Sequence, residues 1–457
     1  MNVDFYYVNV DRINMDALPR LTAEQTAERL GVKLETLYAY VARGKLTRDR
    51  TTDGSSFDPL EVERFATARR RRAAAGGPAS GRSDGRPLMV IDTGFALIED
   101  GDLLYRGRRA VDLAAEPFET VARWALTGGW DPAARFAAPG AGMAAARDAA
   151  AALPAAAGDR DRQLIAVTAL AAADPLRTSL DPATVAGAAE AMAAGMVDVL
   201  PVAGNATAER ADDTLALRLH RRLRAHAGAS ASDGAGSGGA GSDGAGSDGA
   251  AAAGTATAAA EGTDTAVAVL NAALVLLIDH DLAVSTLAAR AAASARATPY
   301  GVVIAGMGAL DSPLHGNASR AAHRMLARVV AGADPARVVA DAVVGAGGPV
   351  PGFGQPLYPD GDPRARALLG LLAAEPGAAP VLAAVDATAA LLRDRAGAHP
   401  NVDLALAALT LAHGMRDDAG EVVFATARTI GFVLHALAEY REPPLRLRPV
   451  GRYTGPL

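Results

Sequence analysis

Apolar residues recur at helical spacing along most of the chain, in segments that Gly and Pro separate. Residues 424–440, for example, place apolar side chains on one stripe with a period near 3.6 residues, which predicts a core helix. The longest apolar stretch, 265–278, contains Asn271 and ends before Asp279. It is shorter than the roughly 20 residues that span a bilayer, so we expect a buried helix. The pattern predicts an all-α protein.

The first part of the chain carries a pattern of shorter elements. Thr22 and Gln25 stand three residues apart, as in a capping box, and Gly31 follows as a tight turn before a second helix that ends at Gly44. Two such helices, followed by a small wing and a third helix, form the helix-turn-helix pattern. The predicted elements cover residues 21–30, 34–42, 48–57 and 59–72. The stretch LTAEQTAERLGVKLETLYAYVARGKL resembles the winged helix-turn-helix of excisionase-like and MerR-like DNA-binding domains.

This resemblance implies DNA binding, with the second helix in the major groove and a run of arginines on phosphates. The expected contacts are Thr36, Tyr38, Arg69, Arg70, Arg71 and Arg72. The second helix lacks the Arg, Asn or Gln that read base edges best, and offers instead Glu35, Thr36, Tyr38 and Tyr40. A protein-docking module with a solvated arginine run is therefore the alternative.

Composition divides the chain into consecutive regions. Residues 1–19 form a tail, and residues 20–72 form the helix-turn-helix module, with 12 Lys or Arg against 8 Asp or Glu. Residues 73–86 are rich in Gly, Ser and Ala, which predicts a flexible linker. Residues 87–457 form the main helical domain. Its interruption at 227–263 repeats SDGAGS-like units that bury too little apolar surface to fold, so we expect a disordered loop there.

Composition and charge exclude several classes of protein. Alanine supplies much of the apolar fraction and aromatic residues make up only 4%, which favours helices. The absence of cysteine excludes disulfides, thiolate nucleophiles and the commonest zinc ligand sets. The net charge of −6 argues against a whole-chain nucleic-acid binder. The N-terminus has no basic segment followed by a long apolar run, so we expect no signal peptide and a cytoplasmic protein that does not enter a membrane.

Several polar residues in the main domain have ordinary structural explanations. His280 ends an apolar helix, His315 precedes a glycine at a turn, and Asp403 suits a helix N-cap. Arg428 is harder to explain, because it shares a helical stripe with Phe424 and would face the core. A buried guanidinium without a partner is costly, so it needs either an internal salt bridge or a substrate carboxylate. Taken alone, Arg428 favours the salt bridge.

Taken together, the motifs occur in the order seen in citrate and 2-methylcitrate synthases. The chain reads DHDLAVST from Asp279, PLHG from Pro313, VPGFGQ from Val350, DPR from Asp362, PNVD from Pro400, ARTIGF from Ala427 and RPVGRYTGP from Arg448. The family's patterns are DHELNAST, GPLHGGANE, VPGFGH, DPRA, PNVD, IAR-x-x-GW and RPRARYxGP. Residues 94–114 also resemble the family's N-terminal pair of strands. The resemblance covers residues 87–457 apart from the insertion, and it implies the citrate synthase fold: a large helical domain and a small one at about 316–408.

The resemblance implies an acyltransferase that condenses acetyl-CoA or propionyl-CoA with oxaloacetate, giving citrate or methylcitrate and free CoA. Asp403 matches the base that takes a proton from the thioester methyl group, and His315 matches the donor to the thioester oxygen. The family's oxaloacetate ligands match His280, Arg364, Arg428 and Arg448. Arg448 would come from the neighbouring subunit, which implies a homodimer. CoA is expected to contact Pro351, Gly352, Phe353 and Gly354. No metal or other cofactor is implied.

The chain departs from the family's patterns at several positions. Gln355 stands in place of the histidine that polarises the ketone of oxaloacetate, and a neutral amide donates a weaker hydrogen bond, so we expect slowed catalysis. Residues 317–320, with the sequence NASR, replace GANE. The other departures are Asp281 and Ala283 for Glu and Asn, and Pro359 where a Lys or Arg often meets CoA phosphate.

Two functional classes stay open at this point. The first is an active but slowed condensing enzyme, because the base, the donor to the thioester oxygen and the arginines are all present. The second is a ligand-sensing, DNA-binding transcriptional regulator on a catalytically weakened citrate synthase scaffold, which the basic N-terminal module and Gln355 favour. The sequence does not separate acetyl-CoA from propionyl-CoA.

Overall fold

The computed structural model describes residues 18–51, 54–75, 90–154, 156–202, 210–225, 265–312, 315–345, 350–450 and 452–455. Helices dominate these residues, as predicted, and the strands form two small sheets. The predicted loop at 227–263 lies outside the described residues, as do residues 1–17 of the tail and residues 76–86 of the linker.

The N-terminal module contains three helices and a three-stranded antiparallel sheet with the order β1-β3-β2. The capping box predicted for the first helix is present: the Gln25 amide donates to Thr22 Oγ1 at 3.2 Å, and the Thr22 amide donates to Gln25 Oε1 at 2.9 Å. Gly31 ends this helix at φ 61°, a left-handed conformation that favours glycine. The elements are β1 (Leu21–Thr22), α1 (Ala23–Leu30), α2 (Leu34–Ala42), β2 (Asp49–Thr51), β3 (Gly54–Phe57) and α3 (Pro59–Ala75).

The main part begins with a second antiparallel sheet, which confirms the strand pair predicted within 94–114. It contains β4 (Ala96–Glu99), β5 (Asp102–Tyr105) and β6 (Arg108–Arg109). The helices that follow are α4 (Ala110–Leu113), α5 (Phe118–Thr127), α6 (Gly140–Ala151), α7 (Asp159–Ala173), α8 (Pro182–Asp198), α9 (Leu215–Ala225), α10 (Thr265–Leu276), α11 (Val284–Ser294), α12 (Pro299–Leu310), α13 (Ala318–Val330), α14 (Pro335–Gly345), α15 (Pro363–Leu372), a 3₁₀ turn (Pro376–Ala378), α16 (Ala379–Ala396), α17 (Val402–Ala412) and α18 (Ala419–Glu439).

These helices bury two hydrophobic cores. The first core lies among α5, α7, α8, α10, α12 and α18, and the second among α13, α14 and α16. Helix α17 contributes to both, with Leu406 and Leu409 in the first core and Leu404 and Ala408 in the second. By length and composition α18 could cross a membrane, but 89% of its most apolar stretch is buried inside the protein, as in a core helix.

The N-terminal module shares the second core instead of standing apart from it. Helix α3 packs against α14 and α16. Leu60 and Ala66 of α3 belong to the same buried cluster as Val339 of α14 and Val385 of α16. The sequence predicted a module on a flexible linker, and it did not predict this contact. The smaller body of the protein, which we call the second body, therefore consists of the N-terminal module together with α13, α14 and α16.

Candidate active site

A cavity of about 270 Å³ opens where α15, α17 and α18 meet. Six of the residues predicted for the site line it: His280, His315, Gln355, Arg364, Asp403 and Arg428. The remaining lining residues are Asp281, Leu282, Ala283, Leu357, Val402 and Phe424. Side chains about 150 positions apart in sequence thus converge on one space, with contributions from helices of both cores.

Arg428 lies at the first-core side of the cavity, in the middle of α18. Its side chain is 1% exposed, and Nε donates a hydrogen bond to the Leu277 carbonyl at 3.0 Å. The guanidinium carbon stands 4.7 Å from the centre of the Phe424 ring. Burial lowers the pKa of Arg428, and the negative charge of Asp279 opposes this. The internal ion pair that Arg428 favoured when taken alone is not found among the described residues, none of which forms a salt bridge with it. The guanidinium can bind an anionic ligand.

Arg364 lies in the first turn of α15 and also lines the cavity. Asp362, the N-cap of this helix, accepts hydrogen bonds from Arg364 Nε at 3.0 Å and from Nη2 at 2.8 Å. The same carboxylate accepts from the Val402 amide at 3.1 Å. Asp362 therefore fixes the guanidinium of Arg364 and joins α15 to the start of α17. The sequence quoted Asp362 within a motif but did not predict this role.

His280 follows α10 and is 9% exposed. Its Nε2 atom lies 3.1 Å from the hydroxyl oxygen of Tyr358, which is itself buried. Burial, followed by the charges of Arg364 and Arg428, lowers the pKa of His280 well below its usual value. The imidazole is therefore neutral at pH 7. Tyr358 was not predicted, because only the fold brings it to His280.

His315 lies in the turn before α13. Its Nε2 atom is 2.7 Å from Ser285 Oγ, and its ring packs edge-on against Phe424 at 6.1 Å between centroids. Burial, together with the charges of Arg428 and Arg160, lowers the pKa of His315 to about 4. His315 is thus neutral at pH 7. If the serine hydroxyl donates to Nε2, the imidazole proton is on Nδ1, where it can serve a ligand.

Asp403 is the second residue of α17. Asn401, not Asp403, is the N-cap: Asn401 Oδ1 accepts a hydrogen bond from the Asp403 amide at 3.0 Å. The N-cap explanation for Asp403 is therefore wrong, and its carboxylate lines the cavity. Burial raises the pKa of Asp403 to about 6, although the charge of Arg364 opposes the shift. A carboxylate with this pKa is a stronger base than an ordinary aspartate and is still ionised at pH 7.

Gln355 ends the glycine-rich loop that precedes α15. Its Oε1 atom accepts a long hydrogen bond, 3.4 Å, from the Leu357 amide. With the oxygen turned to the backbone, the amide NH₂ group remains as the donor toward the cavity. Like the imidazole of its family counterpart, Gln355 can donate a hydrogen bond, but it cannot supply a proton.

The loop at 350–354 is attached to the segment before α17. The Gly354 amide donates to the His399 carbonyl at 2.8 Å, and the Asn401 amide donates to the Gly352 carbonyl at 2.9 Å. Among the described residues that line the cavity, none comes from 351–354. This loop therefore positions Gln355 and the start of α17, and the predicted contact of Pro351, Gly352, Phe353 and Gly354 with CoA stays a prediction.

Arg448, Thr36, Tyr38 and Arg69 are not among the residues that line the cavity. Arg448 is exposed in the segment after α18. In the N-terminal module, Tyr38 is 39% exposed and Thr36 is partly exposed. Arg69 donates from Nη1 to the Leu30 carbonyl at 2.7 Å, so part of its guanidinium closes the end of α1 instead of facing solvent. The side chains of Arg70, Arg71 and Arg72 lie outside what the structure describes.

Among the described residues, no group of three or more His, Asp or Glu side chains is arranged to hold a metal ion. The chemistry available in the cavity is that of two carboxylates, of which Asp403 is the candidate base, two neutral imidazoles, a carboxamide and two guanidiniums. Such a set can remove a proton from carbon, hydrogen-bond a developing oxyanion and bind carboxylates.

Comparisons with known proteins agree with this geometry. The model of the citrate synthase C-terminal domain family matches residues 86–450. A citrate synthase from Haloferax volcanii is 35% identical over 187 residues, which are 40% of this chain and 49% of that protein. Citrate synthase 2 from Bacillus subtilis is 31% identical over 191 residues, 41% of this chain and 50% of that protein. The chain thus spans about half the length of the curated relatives it matches.

Two solved structures are similar in fold. One is the ternary complex of carboxymethyl coenzyme A and oxaloacetate with citrate synthase from Thermoplasma acidophilum, with a TM-score of 0.61 and 22% identity over 81% of this chain and 95% of that one. The other is citrate synthase from Pyrobaculum aerophilum, with a TM-score of 0.60 and 21% identity over 90% of this chain and 95% of that one. At these identities they support the fold only. Since the family model covers most of the residues, the chain belongs to the citrate synthase family.

Proposed function

We propose that the protein condenses an acyl-CoA thioester with oxaloacetate and releases a citrate-type tricarboxylate and free CoA. The observation that carries this proposal is the convergence of Asp403, His315, Arg364 and Arg428 on one cavity. The base and the oxyanion donor stand beside two guanidiniums, as a reaction between a carbon acid and a dianionic ketoacid requires.

In the proposed reaction, Asp403 accepts a proton from the carbon next to the thioester carbonyl. The neutral imidazole of His315 donates a hydrogen bond to the carbonyl oxygen as the enolate forms. The enolate carbon attacks the ketone carbon of oxaloacetate, so that one carbon–carbon bond forms and the former ketone oxygen gains a proton from solvent. Water then attacks the thioester carbonyl, the carbon–sulfur bond breaks, and CoA leaves as the thiol.

The two carboxylates of oxaloacetate match the cationic walls of the cavity. Arg428 has no carboxylate partner among the described residues, and Asp362 fixes Arg364 without using all of its donors. Planar guanidiniums bind carboxylates with paired hydrogen bonds, and the burial of both arginines strengthens these bonds. His280, kept in place by Tyr358, supplies a further neutral donor.

The direct test is the release of free thiol by the purified full-length protein. Oxaloacetate is mixed with acetyl-CoA or with propionyl-CoA, and each thioester alone serves as the control for hydrolysis. We expect thiol release that requires oxaloacetate, and the ratio of the two rates identifies the preferred acyl group. Absence of release with both thioesters at high enzyme concentration, and its absence also in Gln355→His, would sink the proposal.

We also propose that the active unit is a homodimer. Helices α11 and α12 pack side by side and expose apolar side chains, with Val284 at 59%, Leu287 at 44% and Ile304 at 38% exposure. A two-fold axis through such a face would bury it against its copy. Mixing Arg448→Ala with Asp403→Asn tests this: each variant alone is inactive, and the mixed dimer has one intact site, which restores roughly a quarter of the activity. If refolded mixtures of the two variants recover no activity, Arg448 does not contribute to the partner's site.

A second candidate function is DNA binding by the N-terminal module as a winged helix-turn-helix. Basic side chains are exposed around α2 and the β2–β3 hairpin, and they are Lys33, Arg43, Lys45 and Arg50. The affinity of a protein whose basic side chains neutralise DNA phosphates depends steeply on salt, so duplex DNA should bind at low salt and dissociate as salt rises. A regulator also requires that oxaloacetate or citrate change this affinity. If DNA does not bind, or if its binding does not depend on salt, the DNA-binding role is wrong. The alternative is then a protein-docking module, which the contact of α3 with α14 and α16 favours.

A further inference from the structure

The turn after His315 departs from the family's pattern in a way that changes its charge. Arg320, in the first turn of α13, stands where the GANE pattern has glutamate. Its Nη2 atom donates a hydrogen bond to Glu421 Oε2 at 3.1 Å, and its Nε lies 2.9 Å from Oε1. A glutamate at position 320 would place two carboxylates together there. Arg320 therefore replaces a repulsion between two carboxylates with an attraction to Glu421.

Glu421 lies in the first turn of α18 and is 2% exposed. A second guanidinium approaches it from α7, with Arg160 Nη1 at 3.8 Å from Oε2. Helices α7 and α18 belong to the first core, whereas α13 belongs to the second. The three residues Arg160, Glu421 and Arg320, which we call the Glu421 bridge, therefore connect α7 and α18 of the first core to α13 of the second body.

The same bridge contacts the turn that carries His315. Arg160 Nη1 donates to Asn317 Oδ1 at 3.1 Å and to Asp311 Oδ1 at 3.3 Å, and its Nη2 donates to the Met307 carbonyl at 3.3 Å. These acceptors lie on both sides of His315 in the sequence. A shift of Arg160 would therefore move the imidazole relative to Ser285 and the cavity.

We propose that the Glu421 bridge positions His315, and that Arg320 is a positioning residue for the proposed condensation. The charged groups that face Glu421 are Arg160 from α7, Asp311 after α12, Arg320 from α13 and Asp418 before α18. Burial raises the pKa of Glu421 to about 7, the two arginines oppose this, and Asp418 and Asp311 add to it. Glu421 is thus ionised above about pH 7 and becomes neutral below it, while the two arginines of the bridge keep their charge.

The kinetic test compares Arg320→Gln with Arg320→Lys. We expect the glutamine variant to lower kcat about tenfold to a hundredfold, as misplaced catalytic groups do, while KM for oxaloacetate changes less than about threefold. Lysine keeps the charge and should recover most of kcat. The control is Arg324→Gln on the same helix, which removes a solvent-exposed ion pair with Asp417 and should leave kcat unchanged. In Glu421→Gln, the substitution Arg320→Gln should have no further effect.

A second readout does not depend on activity, so that failure of the proposed reaction and failure of the bridge can be told apart. The His315 ring is titrated by NMR in the parent, Arg320→Gln and Arg324→Gln proteins. Loss of position should raise the pKa of His315 from about 4 toward its ordinary value only in Arg320→Gln, because Arg320 is not among the charges that shift it directly. If the two variants behave alike in this titration, the positioning role is wrong, whatever the enzyme does.

Discussion

Replacing Gln355 with histidine tests how the ketone of oxaloacetate is polarised in the proposed reaction. In the proposed reaction the Gln355 NH₂ group is the donor, and its amide is held by the 3.4 Å contact of Oε1 with the Leu357 amide. The introduced imidazole would lie near Arg364 and Arg428, two of the charges that keep His280 neutral. It can become charged only once the two carboxylates of oxaloacetate offset these guanidiniums. The gain should therefore appear after the substrate is bound.

The expected size of the gain follows from hydrogen-bond strengths. A charge-assisted hydrogen bond exceeds a neutral one by about 1 to 2 kcal/mol, which corresponds to a roughly 5- to 30-fold rise in kcat. KM for oxaloacetate should change little, because the bond strengthens as charge develops on the oxygen. Gln355→Leu is the matched control and should lower kcat by about 10²- to 10³-fold. An unchanged or lower kcat in Gln355→His, with intact oxaloacetate binding by calorimetry, would refute this account of the position.

Other predictions follow from the carboxylate, the serine and the loop. Asp403→Asn should reduce kcat by about 10²- to 10⁴-fold, and steady-state thiol release measures it. The same change removes a carboxylate whose folded pKa is raised, so the variant's Tm should exceed the parent's at pH 8 and equal it below pH 4, where both are neutral. In the parent, kcat/KM should begin to fall below about pH 7, as Glu421 becomes protonated, and should fall by a further factor of about ten per pH unit below about pH 6, as Asp403 becomes protonated. Ser285→Ala should lower kcat by a larger factor than it changes KM, because His315 loses the hydroxyl that fixes its tautomer. Gly352→Ala should lower Tm more than Gly354→Ala, since both have φ near 80° but only the first Cβ would meet Leu404, at 2.9 Å.

Local patterns predicted the elements that depend on neighbouring residues. The capping box of α1 needs only Thr22 and Gln25, and the apolar period of α18 is visible in the sequence alone. The convergence of six site residues on one cavity followed from the resemblance in motif order, because no local pattern relates His280 to Asp403.

The errors concern contacts between distant residues and competition at helix ends. Asp403 was open to an N-cap role because aspartate favours that position, but Asn401 satisfies the free amide first. Among the described residues, Arg428 contacts a carbonyl and an aromatic ring instead of a carboxylate, which only the packing of α18 reveals. Tyr358 reaches His280 across 78 positions, a distance that no periodicity spans.

The burial of α3 against α14 and α16 bears on how the protein can be divided. A cut at residues 73–86, where composition changes, would expose the side chains that meet Leu60 and Ala66, so each fragment would carry an unsatisfied apolar face into water. Any rotation of α13, α14 and α16 relative to the cavity would also move α1, α2 and α3, because α3 packs against α14 and α16. A conformational change at the cavity would therefore also change the position of the distant surface that the N-terminal module presents.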